Sequence, residues 1–86
     1  MYYFEQDADD CFEFSSVRWV GIINGERIIF VIHAKAIEAI VGWGQKEYLQ
    51  LFHRFRPVIE QLAIQIARFR KPVNGVIAIT EADVDR

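Results

Sequence analysis

The sequence predicts an α+β fold of two layers, an antiparallel sheet made of an N-terminal hairpin plus a C-terminal strand, packed against one short and one long helix. Three observations predict it. Asn24-Gly25 sits between two β-rich runs, apolar residues recur at helical spacing through the middle of the chain, and the aliphatic run Val76 to Thr80 follows a Pro- and Gly-punctuated break. With 86 residues, 52% of them hydrophobic, the chain fits one domain (1–86) near the lower size limit for folding on a hydrophobic core alone.

The hairpin is the strongest local signal. Asn-Gly accepts the two positive φ angles of a type I′ turn, whose twist suits paired strands. A two-residue turn fixes the register, placing Ile23 opposite Glu26, Gly21 opposite Ile28, Trp19 opposite Phe30 and Val17 opposite Ile32. That face carries the core. The other face carries Arg18, Val20, Ile22, Arg27, Ile29, Val31 and His33, and the four aliphatics among them exceed what a solvated sheet face usually shows. Val20, Ile22, Ile29 and Val31 are therefore the predicted interface.

Ala34 to Val41 follows as a short helix, with Ala36, Ile37, Ile40 and Val41 on one face and Gly42-Trp43-Gly44 as its stop. A longer helix is expected from about Gln45 to Arg70. Leu49, Phe52, Ile59, Ala63 and Ile66 form one stripe, and Leu51, Phe55, Val58, Leu62 and Phe69 form a neighbouring one, of which Phe55 and Phe69 are expected to face inward. Lys46, Gln50, Arg54, Gln61, Gln65 and Arg68 form its polar face. Because the stripes continue in phase, Pro57 is expected to bend this helix around the core; a break there, with Pro57 in the first turn of a second segment, is the alternative. Lys71-Pro72 and Asn74-Gly75 end the helix, Val76 to Thr80 is the last strand, and Thr80-Glu81-Ala82-Asp83 can start a capped turn.

Charge is uneven although the net value is only −2. Acids crowd both ends, making residues 1–10 an acidic, flexible arm, while Arg and Lys dominate from Arg27 to Lys71, an arrangement that permits head-to-middle contact. The overall balance argues against a strong nucleic-acid or membrane binder. A lone cysteine, Cys11, an N-terminus without signal-peptide character, and no apolar run near the ~20 residues of a spanning helix together point to the cytoplasm.

Asn24-Gly25, Ile28-x-Phe30-x-Ile32, Ala36-Ile37-Glu38, Gly42, Leu49-x-x-Phe52, Arg56-x-x-Ile59-Glu60-x-x-Ala63, Gly75 and Thr80-x-x-Asp83, taken in this order, form a pattern. It resembles the uncharacterised bacterial family named domain of unknown function 1488, over roughly Val17 to Asp83. The resemblance implies a two-layer α+β domain and supplies no activity, substrate or cofactor. The chain departs from it at His33, where a small capping residue such as Ser is expected, and at Pro57, in a helix usually free of proline.

Arg56 shares an apolar stripe with Phe52, Ile59 and Ala63, so its guanidinium needs a partner or a route to water. Glu60, one turn on, is the nearest partner, and together Arg56 and Glu60 are the candidate contact for an anion or a protein partner. The plainer reading is an Arg that lays its stem on the core and pairs with a carboxylate at the edge.

His33, His53 and Cys11 lack metal-ligand spacing, and Asp7, Asp9 and Asp10 lack the glycine and glutamate of a calcium loop, so no metal is expected. No cofactor is expected either. Ser15 and Ser16 lack the surroundings of a nucleophile, Gly42-Trp43-Gly44 is not a phosphate cradle, and no catalytic residue is assigned.

The leading expectation is a small homodimer, a self-associating interaction module that uses the second sheet face or the second helix stripe to bind a copy of itself or another protein. The alternative is a regulator that binds nucleic acid or an anionic ligand through Arg54, Arg56, Arg68, Arg70 and Lys71, where basic residues interleave with Phe55 and Phe69.

Overall fold

Residues 2–11, 16–42 and 47–84 are described by the computed structural model of the chain. Asn24 and Gly25 take φ of 52° and 83°, the turn that their types demand. They join β2 (Ser16–Ile23) to β3 (Glu26–His33) in the register that the turn predicts, including Val17 opposite Ile32, Trp19 opposite Phe30, Gly21 opposite Ile28 and Ile23 opposite Glu26.

The acidic stretch expected as an arm is instead an edge strand, β1 (Tyr2–Cys11), antiparallel to β2. Phe4 pairs with Gly21 and Ala8 with Trp19, so three residues, Glu5 to Asp7, oppose the single Val20 in a bulge. Because the surplus is two residues, the alternation of faces survives. Phe4 and Ala8 both pack on the core.

β4 (Val76–Ile79) completes the order β1-β2-β3-β4, but it runs parallel to β3, with Phe30 opposite Ile77 and Ile32 opposite Ile79. The sheet is therefore mixed rather than wholly antiparallel. The helices that separate β3 from β4 cross one face of the sheet and return the chain to the end at which β3 begins, which makes the pairing parallel.

α1 (Ala34–Val41) starts at His33 without a side-chain cap and ends at Gly42, whose N–H donates to the Glu38 carbonyl at 2.8 Å. The single long helix expected next is two helices, α2 (Tyr48–Arg54) and α3 (Arg56–Phe69), parted at Phe55. The expected start at Gln45, like Trp43, Gly44 and Lys46, lies outside the described residues. Pro57 thus breaks the helix where a bend was expected. Its ring would collide with a helical carbonyl one turn back and it lacks a donor, so it is accommodated in the first turn of α3, where that donor is not needed. The stripes stay nearly in phase because Phe55 N–H bonds the Leu51 carbonyl at 3.0 Å and Ile59 N–H bonds the Phe55 carbonyl at 3.1 Å.

The core lies between the helices and one face of the sheet. Trp19, Phe30, Phe52, Ile59 and Ile77 are among its fully buried members. Trp19 stacks on Phe30 with centroids 5.4 Å apart and meets Phe52 at 4.7 Å, while Phe4 lies 5.8 Å from Phe30. Gly21 makes room for this cluster, since a Cβ there would stand 2.7 Å from the Phe4 ring and 2.9 Å from Phe30. The indole Nε1 of Trp19 is buried without a hydrogen-bond partner among the described residues.

The second helical stripe is only partly covered, with Val58 54% exposed. Leu51 is buried and Phe55 and Leu62 partly so, but Phe69, expected to face inward, is 90% exposed. It lies on the last turn of α3, on the same side as Val58 and displaced from the Ile59, Ala63 and Ile66 stripe that meets the core. Among the described residues, no helix is long and apolar enough to cross a membrane.

Candidate functional site

Arg56 opens α3 directly after the elbow at Phe55, and this position points its side chain back over α2. The guanidinium carbon sits 5.3 Å from the centre of the Phe52 ring, within cation–π range. Each of its three nitrogens donates within the chain. Nε meets Glu60 Oε2 at 2.6 Å, Nη1 meets the Gln6 carbonyl at 2.6 Å, and Nη2 meets the Glu5 carbonyl.

Arg56 and Glu60 are thus brought together, as the one-turn spacing predicts, and both are largely buried, with side chains 15% and 22% exposed. Sequence reasoning missed the other two acceptors. They belong to the bulge of β1, whose carbonyls turn away from the ladder and are free to accept. A guanidinium suits this task, because its planar fork reaches three acceptors at once. The open depression beside it, about 490 Å³, is lined by Phe4, Gln6, Asp7, His53, Arg56 and Glu60. Two carboxylates on that rim oppose the single arginine. The geometry is that of a clamp between α3 and the edge strand.

The expected basic cluster is divided by the fold. Arg54 lies over Phe55 with its guanidinium carbon 5.9 Å from the ring centre, whereas Arg68 and Lys71 are exposed at the far end of α3. Arg70 bonds the Ala78 carbonyl at 2.9 Å and pairs with Asp83 of α4 (Glu81–Val84). Asp83 also accepts from Thr80 N–H at 2.9 Å, the capped turn that Thr80-x-x-Asp83 predicts.

The hydrogen bond from Arg70 holds the Asp83 carboxyl below its ordinary value, aided by the Thr80 bonds and the charge of Arg70, and opposed by burial. A depressed folded-state pKa gives stability that is present above the ordinary carboxylate range and is lost as pH falls through the folded value. Asp83→Asn should therefore lower the melting temperature at neutral pH, and the gap from wild type should close below about pH 4. Parallel melting curves through that window would refute the coupling. On the other side of α1, the Tyr48 hydroxyl donates to Glu38 Oε2 at 2.6 Å and ties α2 to α1. That bond, then burial and the charge of Glu38, raise the phenol above 10.0.

The outer face of the sheet carries the remaining predicted residues. Val20 pairs with Ile29, Ile22 with Arg27 and Arg18 with Val31; Val76 lies beside Ile29 and Tyr3 beside Ile22. Val20 is 8% exposed and Ile22, Ile29 and Val31 are partly buried, yet none of the four belongs to the core beneath the helices. Asp9 pairs with Arg18 at one end of this apolar band, and Arg27 closes the other. Ser16 is buried in β2, whereas Ser15 and the side chains of Asp10 and Cys11 lie outside the described residues.

Fold and geometry define a small α+β domain with a mixed four-stranded sheet, helices on one face, and an arginine clamp on its edge strand. The fold matches, at a TM-score of 0.74, the crystal structure of a protein of unknown function from the DUF1488 family of Shewanella loihica PV-4, with 23% identity over 91% of this chain and 90% of that one. It is the same family that the sequence pattern resembles. No family model matches the chain, and no curated protein matches it.

Proposed function

We propose that the chain is a self-associating interaction module that forms a homodimer through the outer face of its sheet. The observation that supports this reading is the apolar band of Val20, Ile22, Ile29 and Val31 on the sheet face away from the helices, in which Ile22, Ile29 and Val31 keep exposed area, framed by Asp9, Arg18 and Arg27. Apolar burial is worth roughly 25 cal/mol per Å², so each ~100 Å² covered contributes about 2.5 kcal/mol toward the cost of association. A two-fold axis through the band sets the same patch against itself. With that axis running across the strands, the Arg27 end of one copy meets the Asp9 and Arg18 pair of the other, where Asp9 is the acceptor for Arg27.

The reading takes the chain as a bacterial, cytoplasmic protein, on the family resemblance and its single cysteine. Ile29→Asp should convert the dimer to monomer while leaving the circular dichroism spectrum unchanged, and Val20→Asp should do the same at a greater cost in stability. Light scattering checks this. A wild-type chain that is monomeric at high concentration, or an Ile29→Asp mass equal to that of a wild-type dimer, removes the proposal.

A further inference from the structure

On α3, Val58, Leu62 and Phe69 follow one another at four and seven residues, so they line one side of the helix, displaced from the Ile59, Ala63 and Ile66 stripe that meets the sheet. Val58 is 54% and Phe69 90% exposed. A groove of about 430 Å³ opens beside Leu62 and Phe69, lined also by Gln65, Ile66, Arg68 and the Arg70 and Asp83 pair. Exposed aromatics in a basic setting are what the centres of protein interfaces are enriched in.

Charge selects the occupant. Arg54 stands over Phe55 at the head of this stripe, and Arg68 and Lys71 stand at its foot, all exposed. Asp83, the acid that lines the groove, is already committed to Arg70 and Thr80. A second copy laid antiparallel along the stripe would set Arg54 against the other copy's Arg68 and Lys71, and a parallel one would set each against its like. Both arrangements repel. An acidic partner is attracted at both ends.

We propose that this side of α3 docks an acidic amphipathic helix of another protein, its apolar residues at helical spacing packing along Val58 and Leu62 and around Phe69. The backbone of α3 is hydrogen-bonded within the helix, so the partner has only side chains to read, the helix-in-groove mode of recognition. This surface is separate from the sheet face and does not rest on the dimer.

The test is selection from a displayed random library of peptides of about sixteen residues, long enough to span the stripe as a helix, panned against the full chain. The expected winners carry net negative charge and apolar residues three or four positions apart. Their affinity should fall about tenfold or more with Phe69→Ser, and also with Arg68→Glu combined with Lys71→Glu. Phe69→Ser should leave the melting temperature nearly unchanged, because the ring packs on little. The proposal is overturned if no binder emerges, if the winners lack acidic bias, or if Phe69→Ser leaves their affinity intact. It is equally overturned if Phe69→Ser dissociates the chain from a copy of itself, or if these variants instead abolish binding of a single-stranded oligonucleotide.

Discussion

Phe52→Ala is expected to cost about 3–5 kcal/mol, the range for truncating a fully buried phenylalanine. The ring is completely inaccessible, lies 4.7 Å from Trp19 and 5.6 Å from His53, and carries the Arg56 guanidinium above it. With Leu51 it is one of the two buried residues of α2, and it is the larger of the two. An 86-residue domain has roughly 4–13 kcal/mol in all, so chemical denaturation should show much of that stability gone. Phe52→Leu, which keeps most of the volume, should cost less than half as much. An alanine variant that loses under about 1 kcal/mol would mean that the two layers are joined elsewhere.

Arg56→Met is expected to cost about 2–4 kcal/mol, since hydrogen bonds to a charged group contribute ~1.5–3 kcal/mol each but do not add fully. Methionine keeps the contact with Phe52 while removing every donor, which separates packing from hydrogen bonding. The loss should be local before it is global. With the bulge carbonyls of Glu5 and Gln6 released, amide exchange in β1 should quicken more than in β2 or β3. Arg56→Lys should recover little, because an ammonium cannot match the planar fork. Uniform exchange across the three strands would show that Arg56 does not anchor the edge.

Much of this architecture was legible in the sequence, and what was missed follows one physical logic. The hairpin register was legible because Asn24-Gly25 leaves no freedom in pairing, and the Arg56 to Glu60 pair because one helical turn separates them. β1 was hidden by composition, since Asp and Glu have poor strand propensity and the three residues of its bulge, Glu5 to Asp7, are all polar. Nor could hydropathy show the direction of β4, because a buried strand reads the same either way. The order of elements did carry that information, as helices between two strands of one sheet favour a parallel return.

At Pro57 the apolar phase points to a continuous helix and the sterics of the ring to a break, and the ring decides. The exposure of Phe69 has a related cause: apolar periodicity marks two neighbouring sides of α3, and only the Ile59, Ala63 and Ile66 side meets the sheet, while Val58 and Phe69 stay exposed. The acceptors of Arg56 could not have been read at all. They are main-chain carbonyls about 50 residues away, made available by the bulge.

The parallel pairing of β3 with β4 also governs how the molecule is made. Ile29 and Val76 stand opposite one another about 47 positions apart, so this ladder can zip only after three helices have been synthesised and gathered. The hairpin, by contrast, is local and can form within microseconds of its turn. On the ribosome, β3 must therefore wait with one side unpaired until β4 emerges. In that interval the nascent chain is most open to pairing with a neighbour instead of with itself.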